Sequence, residues 1–109
     1  MPEWAEALTC AVTICDADGR IVFMNQKSRE TFARHGDLIG KNLFEYHNPD
    51  SQAKIRHMLA TGDDNTYKVV KNGVTKLIHQ TPWRIDGKIA GMVELSIVLP
   101  EDIKTIIRQ

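Results

Sequence analysis

The chain has 109 residues with 14 basic and 14 acidic side chains, so its formal net charge is zero. That length suits one domain with one hydrophobic core, and balanced charge offers no electrostatic handle for nucleic acid or an anionic membrane. No apolar run approaches the ~20 residues that span a bilayer and no signal-peptide pattern opens the chain, so a cytoplasmic protein is expected. Cys10 and Cys15 lie five residues apart, the second in a predicted strand, which reads as two reduced thiols rather than a disulfide framework.

In chain order, residues 2–9 open with Pro2, carry acids in the first turn and place Trp4 and Leu8 at i and i+4, predicting a short amphipathic flanking helix. Asp16 to Asn25 (DADGRIVFMN) follows. Asp18-Gly19 suits a two-residue type I′ hairpin between apolar runs, and Asn25 is a good helix N-cap. With that turn Asp16 faces Ile21, Cys15 faces Val22 and Ile14 faces Phe23, so Val12, Ile14, Ile21 and Phe23 share one face. A short helix runs from Asn25 to Phe32 and Ala33, ended by Gly36.

Residues 37–46 read as irregular, packed through Leu38, Ile39, Leu43, Phe44 and Tyr46. Asn48-Pro49-Asp50-Ser51 then caps a longer helix whose Ile55, Met58 and Leu59 form the buried stripe. Beyond residue 65 the apolar period changes to two. Asn72-Gly73 and Asp86-Gly87 are hairpin turns, predicting a three-stranded meander to about residue 99. Outward pairing sets Tyr67 against Ile78, Val69 against Lys76, Gln80 against Val93 and His79 against Glu94. The inner face is then Tyr67, Val69, Ile78, Gln80, Val93, Leu95 and Ile97. The outer face carries Leu77, His79, Trp83, Met92 and Glu94, and a bulge near Pro82 would invert part of this. Ile103, Ile106 and Ile107 predict an exit helix over residues 100–109.

This layout resembles a PAS domain. The match rests on ADGRIVFMN with Asn25 starting the first helix, on LIGKNLFEYHNPD before the long helix, on the WRIDGKIAGMVEL hairpin and on Asp102-Ile103 after the last strand. The resemblance covers residues 9–103. It implies an α+β fold: a five-stranded antiparallel sheet, order 2-1-5-4-3, with short helices enclosing a cavity on one face. The chain is then a single domain over residues 1–109, with a flanking helix at 2–9, a core at 10–99 and an exit helix at 100–109. Such modules sense a small ligand or cofactor, or dimerise, and relay the change to an effector domain or partner protein in two-component signalling or transcription regulation.

Candidate cavity residues are Tyr46, His47, His57, Tyr67, Gln80 and Asn25. Gln80 could hydrogen-bond a ligand or satisfy a loop carbonyl, and a lone histidine is weak evidence for a metal. Haem ligation would fall to His57 or His47. Flavin photoadduct chemistry is not expected, since Leu43 stands where that subfamily's reactive cysteine follows Gly40-Lys41-Asn42. No catalytic motif is present. Trp4, Leu8, Leu77, Trp83 and Met92 are the expected homodimer interface on the outer sheet face; a ligand-free interaction domain is the other expectation.

Overall fold

Five strands form one antiparallel sheet in the computed structural model, which describes residues 2–109. They are β1 (Ala11–Asp16), β2 (Ile21–Met24), β3 (Asn65–Lys71), β4 (Val74–Ile85) and β5 (Lys88–Val98), in the order β2-β1-β5-β4-β3. The meander β3-β4-β5 follows from its turns: Asn72 and Gly73 have φ of 53° and 76°, and Asp86 and Gly87 have 51° and 78°. Positive φ at both central residues is the type I′ hairpin geometry, whose twist matches that of the flanking strands. Tyr67 pairs with Ile78 and Val69 with Lys76, as expected.

The first hairpin is built differently. Asp16 Oδ1 accepts from the amides of Asp18 and Arg20, both at 2.9 Å, and the Gly19 amide bonds the Asp16 carbonyl at 3.0 Å. Asp at the first position and Gly at the fourth favour a type I turn, and Asp18 lacks the positive φ that Asn72 and Asp86 take in the other hairpins. Gly19 then takes a φ of 85°, and the register slips between Ile14 and Cys15. Cys15 therefore faces Ile21 rather than Val22, while Ile14 still faces Phe23.

A second bulge lies between β4 and β5. Arg84 pairs with Ile89 and Trp83 with Gly91, leaving Ala90 unpaired. One residue of slip exchanges the two faces of a strand. Gln80 consequently pairs with Glu94, and His79 with Leu95. Met92 and Glu94 turn inward with Ile78 and Gln80, and Val93, Leu95 and Ile97 turn outward.

The helices cover the face that holds Thr13, Cys15 and Met24, not the one that holds Ile14 and Phe23. Both faces are apolar, so hydrophobicity alone does not choose between them. A polar contact does: Thr13 Oγ1 meets Ser28 Oγ at 2.6 Å, tying the first helix to β1. That helix, α1 (Gln26–Thr31), is capped by Asn25. The second, α2 (Pro49–Thr61), is capped by Asn48, starts on Pro49 and ends on left-handed Gly62. Its Ile55 and Met58 join Cys15, Met24, Leu43 and Met92 in the core.

Between α1 and α2 the chain runs along the free edge of β2. Gly40 donates to the Ile21 carbonyl at 2.8 Å, Ile21 to Lys41 at 2.9 Å and Leu43 to Gly19 at 2.7 Å. A 3₁₀ turn, Leu43–Tyr46, follows, capped by Asn42. The edge is thus covered, and Leu38 and Leu43 are delivered to the core.

Both chain ends depart from expectation. The flanking helix shrinks to a 3₁₀ turn, Glu3–Ala5, with Trp4 75% exposed and Leu8 also exposed. Its backbone serves α1 instead, since Gln26 N–H donates to the Glu6 carbonyl at 3.1 Å. The exit helix is not formed: Glu101-Asp102 is a turn, and Ile103, Ile106 and Ile107 stand exposed on an irregular segment. So short an apolar stripe cannot hold a helix without a surface to bury against.

Candidate functional site

A cavity of about 200 Å³ lies between the inner face of the sheet and the helical layer. Thr13, Met24, Ile78 and Glu94 line it from the sheet, and Phe32, Leu38 and Leu43 from the helical side. Tyr46, His47 and Tyr67 complete the wall. The position of Leu43 depends on Gly19, where an added Cβ would meet Phe44 Cε2 at 2.6 Å.

Three of the expected residues therefore converge here: Tyr46, His47 and Tyr67. His47 Nδ1 lies 3.0 Å from the Leu43 carbonyl. A carbonyl only accepts, so Nδ1 is the donor in this contact. Burial pushes the Tyr67 phenol above its ordinary pKa, and the charge of Glu94 adds to the effect. Burial likewise raises the Cys15 thiol from 9.0 to about 11, so it stays protonated and inert at neutral pH.

The other three candidates lie elsewhere. Gln80 is buried but belongs to a chain across three strands: Asn65 Nδ2 donates to Gln80 Oε1 at 3.0 Å, and Gln80 Nε2 donates to Glu94 Oε1 at 2.8 Å. It lines a smaller recess of about 80 Å³ with Ser51, Lys54, Asn65 and Tyr67. Asn25 is fully consumed by structure. Its Oδ1 accepts from Val12 and Ser28, and its Nδ2 donates to the carbonyls of Ala5 and Cys10. His57 sits on the solvent side of α2, its side chain 63% exposed and Nε2 3.0 Å from Asp63.

Glu94 is the cavity residue that the sequence reading misses, because the Ala90 bulge turns it away from His79. On the outer face His79 bonds Thr66 Oγ1 at 2.7 Å instead. The isolated Gly91 within a strand pattern is the sequence signal for that bulge. Among the described residues no three metal-ligating side chains cluster. A cavity of about 200 Å³ is also smaller than the ~300–1,000 Å³ typical of drug- and cofactor-sized sites. Haem does not fit it, and His57 is not placed to ligate one there.

The expected dimer residues also separate. Met92 is 1% exposed in the core and cannot form an interface. Leu77 and Trp83 remain on the outer face, partly exposed. The Trp83 indole lies against Gly91, where a Cβ would come within 2.6 Å of its nitrogen, and its N–H donates to the Cys15 carbonyl at 3.0 Å.

A five-stranded antiparallel sheet in this order, helices on one face and a cavity between the layers define an α+β module with a hollow core. The chain belongs to the PAS fold family, whose model matches residues 5–101. No curated protein sequence matches it. Among solved structures, VqmA bound to DPO is 23% identical, with 86% of this chain and 54% of that one covered and a TM-score of 0.68. The Vibrio cholerae VqmA dimer without target DNA is 22% identical, covering 88% and 48%, also at 0.68. The sensor region of a sensor histidine kinase is 21% identical, covering 81% and 38%, at 0.62. The chain thus spans 38% to 54% of the length of these proteins. At such identities the likeness is one of fold. No helix among the described residues is long and apolar enough to cross a membrane.

Proposed function

We propose that this chain is a sensing module that binds a small molecule in its cavity and relays occupancy to an effector domain or partner protein. The observation that carries this is the cavity itself: an apolar chamber with Tyr46, His47, Tyr67 and Glu94 on its wall. Apolar lining with a few convergent polar groups is the usual composition of a small-molecule site. The similarity in fold to VqmA, described as bound to DPO, supports the same reading. Native mass spectrometry of freshly purified protein tests it. The expected spectrum shows a non-covalent adduct that mild activation removes; a homogeneous apo mass, unchanged on exposure to a cell extract, counts against it.

A second role is favoured by the outer sheet face, where Phe23, Leu77, Trp83, Val93 and Leu95 are partly exposed and apolar. We infer a homodimer through this face, and in that case no direct nucleic-acid contact by this module is required. Leu95→Glu should convert a concentration-dependent dimer to monomer in sedimentation velocity. A wild type that sediments as monomer at every concentration rules the dimer out.

A further inference from the structure

Glu94 stands out on the cavity wall as a carboxylate among side chains that are otherwise apolar, hydroxyl or imidazole, with no lysine or arginine lining the cavity. No ion pair involves it among the described residues. Its one side-chain donor among the described residues is the neutral Gln80 amide, at 2.8 Å to Oε1. Its neighbour on β1, Thr13, has its hydroxyl engaged with Ser28 at 2.6 Å. Among the described residues Oε2 is therefore left without a hydrogen-bond or ion-pair partner.

Two titratable neighbours of Glu94 carry no compensating charge, and Lys54, on the adjoining recess with Gln80 and Tyr67, forms no ion pair with it among the described residues. Cys15 on β1 and Tyr67 on β3 both hold their protons at neutral pH, the thiol up to about 11. His47, on the segment before α2, has its Nδ1 committed to the Leu43 carbonyl, and no ion pair joins it to Glu94 among the described residues. An unpaired carboxylate beside apolar walls favours a cation or a strong N–H donor and repels an anion. The rings of Phe32, Tyr46 and Tyr67 add faces that attract cations.

Size narrows the class further. An apolar cavity of ~150 Å³ holds a benzene ring, so about 200 Å³ accommodates one ring with a small substituent.

We propose that the cavity selects a small organic cation, a single-ring amine or protonated nitrogen heterocycle, whose N–H group bonds Glu94 Oε2. This rests on the cavity being a ligand site. The test uses three probes of one shape and different charge, namely benzylamine, benzyl alcohol and benzoate, titrated at millimolar concentration against the full chain. Amide resonances of Thr13, Tyr67 and Glu94 are the readout. Benzylamine should bind about tenfold or more tightly than benzyl alcohol, as expected for a hydrogen bond to a charged group, and benzoate should bind weakest. Glu94→Gln keeps an acceptor for Gln80 and should bring benzylamine and benzyl alcohol within about twofold of each other. If the three probes bind alike, or the preference survives Glu94→Gln, the charge selectivity is wrong while the cavity reading stands. If no probe shifts those resonances, both fall. Should the variant lose its native spectrum, the wild-type ranking decides alone.

Discussion

Asn25 and Glu94 are both polar side chains set among apolar neighbours, and both stand next to β1, yet their hydrogen bonding differs. Asn25 uses its carbonyl oxygen twice and its amide group twice, joining β1, the N-terminal turn and α1 at one point. Glu94 has one side-chain bond among the described residues, to a neutral amide, and lines a cavity. The difference teaches that burial of a polar residue does not mark a site. Unused hydrogen-bonding capacity facing a space does.

The sharpest way to break this comparison is to remove Asn25. Asn25→Ala leaves its four partners without it inside a residue that is 0% exposed, and should cost about 3–5 kcal/mol. Urea denaturation measures it, and Tm should fall by more than about 10 °C. A loss below about 1 kcal/mol would mean that solvent replaces those bonds, and that Asn25 is no more structural than Glu94.

Gly19→Ala should follow, at about 2–3 kcal/mol, since it combines a φ of 85° with a Cβ 2.6 Å from Phe44. Because Gly19 also accepts from Leu43, the variant should lose probe binding along with stability. Alkaline titration comes third. The Cys15 pKa is raised in the folded state, from 9.0 to about 11, so the unfolded chain releases that proton first. Stability is then fully present below pH 9, falls as pH rises toward about 11 and levels off beyond, by a sum on the order of 2 kcal/mol. Cys15→Ala should flatten that portion of the curve. The smallest effect belongs to Glu94→Gln, whose unfolding free energy should stay within about 0.5 kcal/mol of wild type. Any larger loss would place Glu94 in the framework, with Asn25.

What could be read from the sequence follows how local each determinant is. Asn72-Gly73 and Asp86-Gly87 specify their turns through two backbone angles, so the β3–β4 register is legible. Asp18-Gly19 offers the same dipeptide, but the Asp16 carboxylate captures two amides and makes a type I turn with a bulge. The second bulge, at Ala90, exchanged Val93 and Leu95 with Met92 and Glu94, and with them one site residue and one expected interface residue. Tyr46, His47 and Tyr67 were legible because their placement did not depend on either bulge. Pro2, the first-turn acids and apolar spacing predict the flanking helix, and apolar spacing the exit helix, but none of these says whether a surface exists to receive them.

The Trp83 contact gives the molecule a built-in optical reporter. Its indole donates to the carbonyl of Cys15, on the strand that contributes Thr13 to the cavity wall, while the other tryptophan, Trp4, is 75% exposed. A Trp4→Phe chain therefore carries one fluorophore bolted across β5 to β1. Its emission wavelength reports strain in the sheet from behind, without a label entering the chamber in front.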